Sequence, residues 1–398
     1  MKVIERKYLL PFILITSMFM LWGLANNMTD TLLAAFRKIM QMSDTQTSFI
    51  QMAFYGAYFC VALPAALFIR KFSYKKGVIL GLLLYASGAI LFLPAAKAAS
   101  YAFYLIAIYI MASGCSVLET ASNPYIMSMG SAETATRRLN IAQSFNPIGS
   151  ILGILVSKYF ILQDISLYSV SGTYAALGCV LLAIMVVMIF AHMPEGKDAD
   201  QPGSVKATFS RLAKNKKYVW GVVAQFFYVG AQIGVWSFTI RLVMKELGHV
   251  EAQAATLYLI SIMGFCASRF VYTWLMKFVS PERLLAAGAV LSALSALGVV
   301  LTSGWICVVA LILISVFMSL MFPTIYGIAL GSVAGSEHKD DTKIGASGLI
   351  MAILGGALLT PVQGLVSDAT GSINISYLVP LCCFVVVMCY ALYCRKNA

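Results

Sequence analysis

The chain has 398 residues, 60% hydrophobic and 11% charged, with a formal charge of +12 and a mean hydropathy of +0.86. Soluble globular domains carry about 25% charged residues, and here the apolar residues run the whole length rather than forming one or two anchors. That excludes an ordinary water-soluble domain and points to a polytopic membrane protein.

In chain order, apolar segments fall at 9–36, 46–69, 76–96, 101–128, 139–162, 168–193, 218–245, 252–278, 282–303, 305–332, 343–368 and 373–394. Each is near or above the roughly 20 residues that a membrane-spanning helix needs. A transmembrane β-barrel would show alternating strands of about ten residues, which unbroken runs such as "AALGCVLLAIMVVMIF" do not. The expected fold class is an all-α membrane protein of twelve transmembrane helices. The N-terminal "MKVIERKYLLPFILITSMFM" runs too long for a signal peptide and lacks a small-residue cleavage site, so it reads as an uncleaved first helix.

The most polar long stretch, "HMPEGKDADQPGSVKATFSRLAKNKK", follows the sixth segment. Its Pro, Gly and mixed charges mark a linker. The expected division is an N-terminal six-helix bundle, 1–193, a cytoplasmic linker, 194–217, and a C-terminal six-helix bundle, 218–398. The halves echo one another: "LFIRKFSYKKGVILGLLLYASGAILF" parallels "WLMKFVSPERLLAAGAVLSALSALGVV", and "SNPYIM" parallels "MFPTIY". Two corresponding six-helix halves are the mark of a carrier built from parallel repeats, with its site near the midplane.

Twenty-one of the 28 Lys and Arg fall in segments that become cytoplasmic when both termini are inside. This is the positive-inside rule, so the basic charge reports topology and implies no nucleic-acid partner. The nine cysteines lie almost entirely in apolar helices without metal-ligand spacing, and His192, His249 and His338 sit on separate segments. No metal, disulfide or organic cofactor is expected, and no nucleophile or metal cluster supports an enzyme.

Two acids interrupt the apolar segments, Asp30 in "LANNMTDTLL" and Glu119 in "LETASNPYI". An intramembrane carboxylate costs at least ~2.5 kcal/mol and usually marks an ion or substrate pathway; protonation lowers that cost, which couples the site to a proton. Asn27 lies three residues before Asp30, Asn123 four after Glu119, and Gln143 and Asn146 three apart in the fifth segment. At helical spacing each pair shares a face. Amides and carboxylates together suit a hydroxyl-rich ligand, because each hydroxyl both donates and accepts. Trp22 offers an apolar platform for a sugar ring. The competing reading is that these groups pair with one another and only join helices, but such bonds average about 0.6 kcal/mol, a small return for two carboxylates.

In the seventh segment Gln225 and Gln232 lie seven apart, with Trp236 one turn beyond, positioned either for substrate or for packing. Arg269 in the eighth segment has two open readings, a partner for an acid or a side chain reaching towards the cytoplasmic interface. The glycines of "PIGSILG" and "LGGALLTPVQG" suit close helix packing.

With "LWGLANNMTDTLL", "FIQMAFYGAYF", "LETASNPYI", "RLNIAQSFNPIGS", "AQFFYVGAQIGVWSF" and "LTPVQGLVSDATG" in place, the chain resembles the fucose permease branch of the major facilitator superfamily over nearly its whole length. The resemblance implies two pseudo-symmetric six-helix bundles that couple uptake of L-fucose or a related monosaccharide to protons, by alternating access in a bacterial inner membrane. It assigns Asp30 to sugar recognition and proton coupling, Glu119 to proton coupling, and Asn27, Gln143 and Asn146 to the sugar. Asn123, Trp22, Gln232 and Trp236 complete the expected substrate-binding set, the proton being the only coupling partner. The chain is expected to function as a monomer in the lipid bilayer. A glucose/galactose-type hexose transporter of the same family and a proton-coupled efflux carrier are the alternatives.

Overall fold

The computed structural model describes residues 3–39, 44–161, 166–194, 204–334 and 340–396. Among these, every regular element is helical, and twelve helices are long and apolar enough to cross a bilayer. They are α1 (Arg6–Ala25), α2 (Met52–Lys71), α3 (Tyr74–Ala98), α4 (Tyr101–Ser128), α5 (Ala132–Ile161), α6 (Leu167–Phe190), α7 (Lys216–Leu247), α8 (Gln253–Leu275), α9 (Pro281–Leu301), α10 (Gly304–Val333), α11 (Asp341–Thr370) and α12 (Ile373–Lys396). The chain is a multi-pass membrane protein. The helical backbone of α1 extends beyond its most apolar stretch, over Leu9–Ile39, and so includes Asn27 and Asp30. A further amphipathic helix, Val205–Lys214, lies in the polar linker.

Several segments that the sequence reads as single helices are interrupted. α5 consists of Ala135–Gln143 and Asn146–Val156, ending in a π turn at Ser157–Ile161. α10 consists of Gly304–Met318 and Met321–Ala334. α3 breaks at Leu91 and α12 at Tyr377. Each of these breaks precedes a proline: Pro147, Pro323, Pro94 and Pro380. Proline has no amide hydrogen for the carbonyl four residues earlier, and its ring crowds that carbonyl. α11 differs, because a 3-10 turn at Ala352–Leu354 precedes Gly355.

The chain packs into two compact units, each discontinuous in sequence. The first comprises Met1–Ala135, Ile148–Arg211 and Ser336–Met351, and the second Thr136–Pro147, Leu212–Gly335 and Ala352–Ala398. In the first unit, Gly149 of α5 lies so close to α1 that a Cβ there would overlap the Met20 carbonyl. Lys75 donates to the carbonyls of Ile189 and Ala191 at 2.8 Å each, closing the C-terminus of α6. Arg211 from the linker helix donates through Nε at 2.7 Å to the buried carboxylate of Asp341. In the second unit, Gly355 packs against the Phe226 carbonyl of α7, again leaving no room for a side chain. Without a hydrophobic drive between helices, such backbone contact is a main source of adhesion in lipid. All nine cysteines are free thiols.

Gly149→Leu should therefore separate α1 from α5. Overpacking costs about 1–3 kcal/mol where neighbours can shift, and a backbone carbonyl shifts little. The expected result is a melting midpoint lower by several degrees or loss of a monodisperse peak on size-exclusion chromatography. Gly172→Leu, where a Cβ meets nothing within 4 Å, should leave both unchanged.

Candidate functional site

In the first unit, α4 begins on a Ser100 cap, whose side chain accepts from the Phe103 amide at 3.4 Å, and carries Glu119 and Asn123 one turn apart. Both are buried, with exposures of 2% and 0%. Neither carboxylate oxygen of Glu119 has a hydrogen-bond partner among the described residues. Tyr58 of α2 and Asn123 stand beside the carboxyl without reaching hydrogen-bond geometry. The Tyr58 hydroxyl is itself the acceptor for the Trp22 indole N–H. Trp22 is half-buried, so one edge of the ring is fixed by Tyr58. Asn27 is half-buried and donates to the Gly23 carbonyl of its own helix at 3.3 Å; Gly153 of α5 lies against it and Leu24. Asp30 has helical backbone, and its side chain lies outside the described residues.

The contrast with Glu246 in the second unit is instructive. Its two oxygens accept from the Gly304 amide at 2.7 Å and the Asn374 amide at 3.0 Å. Gly304 adopts the left-handed conformation (φ 63°) as the chain turns into α10. Lys245 donates to Asn374 Oδ1 at 2.7 Å. That carboxylate joins helix ends and is fully engaged in doing so. Glu119 has no such work.

The second unit also holds Gln143, Asn146, Gln232 and Trp236. Gln143 is 4% exposed and Asn146 half-buried. They do not share the continuous helical face that their spacing predicts, because the break at Ser144–Phe145 separates them; Pro147 is the reason. Gln232 and Trp236 are half-buried. The Trp236 indole donates to Ser315 Oγ at 3.2 Å, and Ser261 donates to the same oxygen at 2.7 Å. The ring meets Phe265 edge-on at 5.1 Å, and the Arg269 guanidinium lies over the Phe265 ring, 4.8 Å from its centroid.

Arg269 is 3% exposed, so it does not reach for the interface. Among the described residues it meets no carboxylate. Its hydrogen bonds go instead to two backbone carbonyls, Gln143 at 2.8 Å through Nη1 and Ser319 at 2.8 Å through Nε. The structure supports neither of the two sequence readings of this residue.

Three residues carry a signal that sequence reasoning valued too little. Tyr58, in "FYGAYF", reads as an aromatic core residue, and only the fold sets its hydroxyl beside Trp22 and Glu119. Gln225 is fully buried, and among the described residues neither its amide atoms nor the fully buried Tyr228 hydroxyl one turn away has a partner. A buried polar atom left unbonded costs about 1–3 kcal/mol and needs an explanation.

The sequence model of the Major Facilitator Superfamily matches residues 12–339. The chain belongs to that superfamily. The L-fucose-proton symporter of Haemophilus influenzae is 41% identical to this superfamily member, the alignment covering 98% of this chain and 97% of the relative. The L-fucose-proton symporter of Escherichia coli is 36% identical, over 99% and 95%. The glucose/galactose transporter of Brucella abortus is 31% identical, over 99% and 96%. Of solved structures, the Major Facilitator Superfamily transporter FucP in the outward conformation superposes with a TM-score of 0.90 at 35% identity, covering 98% of this chain and 99% of that one. The proton:xylose symporter XylE superposes with a TM-score of 0.76 at 13% identity, a likeness of fold alone.

Tyr58→Phe in this superfamily member removes the acceptor for the Trp22 indole and leaves a buried donor unbonded, at a cost of about 1–3 kcal/mol. The expected readout is a melting midpoint lower by a few degrees with a red-shifted tryptophan emission. An unchanged midpoint and spectrum would show that the Trp22–Tyr58 bond carries no weight.

Proposed function

We propose that the chain is a proton-coupled symporter importing L-fucose or a related monosaccharide across a bacterial inner membrane by alternating access. It works as a monomer with both termini in the cytoplasm, an orientation supported by the distribution of its 28 Lys and Arg. Residues 1–193 and 218–398 form the two halves that alternate, joined by 194–217.

The observation that carries the coupling is Glu119, a carboxyl 2% exposed and bonded to nothing among the described residues. A carboxylate that only joined helices would be saturated, as Glu246 is. Taking up a proton neutralises such a group, and a neutral group is held in a low-dielectric interior at far lower cost than a charged one. Glu119 is thus the proton carrier. Asp30 shares the coupling and reads the sugar. Asn27, Asn123, Gln143, Asn146 and Gln232 supply paired donors and acceptors for hydroxyls, and Trp22 and Trp236 offer ring faces to the apolar side of the sugar. The cargo rests on the two L-fucose-proton symporters, which match at 41% and 36% identity over nearly all of both chains. A second reading, glucose or galactose as cargo, is favoured by the transporters matching at 31–34%.

In proteoliposomes, Glu119→Gln should abolish uphill accumulation driven by a pH gradient, a loss of more than about tenfold, roughly 1.4 kcal/mol or more, while retaining sugar counterflow. Full uphill uptake by this variant would remove Glu119 from the coupling. Asp30→Asn should depress both activities severely. Counterflow of labelled L-fucose against unlabelled hexoses and 6-deoxyhexoses decides the cargo. Preferential exchange with L-fucose supports the first reading, and preferential exchange with glucose or galactose supports the second.

A further inference from the structure

We propose that Arg269 is a positioning residue whose guanidinium supplies the donors that two proline-interrupted helices lack, fixing α5 in the broken form that presents Gln143 and Asn146 in this conformation of the carrier, since Gln143 and Arg269 belong to the two halves that alternate. The claim rests on the sugar-binding role proposed for those two amides.

In an α-helix the amide of residue i donates to the carbonyl of residue i−4. Pro147 therefore has no hydrogen to give the Gln143 carbonyl, and Pro323 none to give the Ser319 carbonyl. These are the two carbonyls that Arg269 takes, each at 2.8 Å. One guanidinium thus meets both positions left short by proline, in helices far apart in sequence. Lipid offers no alternative donor, so a carbonyl freed at membrane depth must be bonded from within the protein or by water in a cavity, and here the protein supplies the donor.

The rest of this stretch of α8 grips the same two breaks. Ser268 donates to Ser319 Oγ at 2.8 Å. The Thr273 hydroxyl lies 3.4 Å from Ser144 Oγ. The Phe270 ring stands edge-on to Phe145, 6.1 Å between centroids. Gln143 is thus held by α8 through its carbonyl and Phe145 meets it through its ring, while the Ser144 and Thr273 hydroxyls touch but give their hydrogens to the Asn140 and Arg269 carbonyls, at 2.7 Å each. The turn from Gln143 to Phe145 sets the angle between the Gln143 and Asn146 side chains, and Arg269 fixes the carbonyl at its start. A planar guanidinium presents several donors at fixed angles, whereas an ammonium is a point charge on a flexible stem. Only the former spans both carbonyls at once. The absence of a carboxylate partner among the described residues fits this role, since a paired guanidinium would have its donors taken.

The test uses the full chain purified into proteoliposomes, with Arg269→Gln, Arg269→Lys, Pro147→Ala, Pro323→Ala and the doubles of each position 269 variant with each alanine. Arg269→Gln should raise the KM for sugar roughly tenfold with a smaller fall in maximal exchange rate, and Arg269→Lys should not restore it. Pro147→Ala returns an amide hydrogen to position 147, so in the Arg269→Gln background it should recover at least about threefold of the lost affinity. Thermal unfolding of the same set should show non-additive midpoints for positions 269 and 147, and for 269 and 323. Full restoration by lysine would overturn the proposal, since charge alone would then suffice; so would strictly additive KM values and midpoints. If Arg269→Gln does not survive purification, the Arg269→Lys doubles report the same coupling. The two claims fail separately. Non-additive midpoints in a protein that exchanges no monosaccharide uphold the clasp and sink the sugar reading. Additive midpoints in a protein that exchanges L-fucose do the reverse.

Discussion

Hydrocarbon supplies no hydrogen-bond partner, and every feature of this protein answers to that constraint. It is why the described residues form only helices, the secondary structure whose backbone bonds are all local. It is also why each departure from the helix needs a compensating contact. At Gly149 and Gly355 the chain brings one helix against the backbone carbonyls of another, where any side chain would intrude. At Gln143 and Ser319, where prolines withhold an amide hydrogen, a buried arginine supplies it. The arginine is no anomaly in an apolar bundle under this view. Two carbonyl dipoles and the face of Phe265 surround the charge where water would otherwise have to.

The same constraint sorts the buried polar side chains into two kinds. Some are saturated and hold helices together. Asn140 donates to Thr324 Oγ1 at 3.3 Å and to the Thr136 carbonyl at 2.9 Å, Ser261 to Ser315 at 2.7 Å, and Glu246 fastens Asn374 and the turn at Gly304. Others are buried without partners among the described residues, Glu119, Gln225 and Tyr228 included. Saturated groups contribute specificity to the fold. Unsaturated ones cost about 1–3 kcal/mol each until a water, proton or ligand meets them.

Much of this was legible in the chain. Twelve apolar segments of spanning length and the buried acid in "LETASN" are local features, readable because lipid imposes its demands on each segment separately. The breaks in α5 and α10 were written there too, as "FNPIGS" and "MFPTIY", but Pro124 lies in an equally apolar segment whose helix runs through it. A proline states that a donor is missing. Whether the helix opens depends on what else can reach the carbonyl.

The sequence by itself determined that this is an all-helical membrane carrier of the major facilitator kind and that Glu119 lies within an apolar helix. Composition and periodicity encode those facts because burial in lipid is a property of one helix at a time. Only the tertiary structure decided which polar groups are satisfied. It gave Trp22 its partner in Tyr58, left Glu119 without one among the described residues, broke the helix between Gln143 and Asn146, and made Arg269 a donor for two proline-freed carbonyls. Hydrogen bonds between helices act over about 3 Å, and no spacing along a single chain reports which helices come that close.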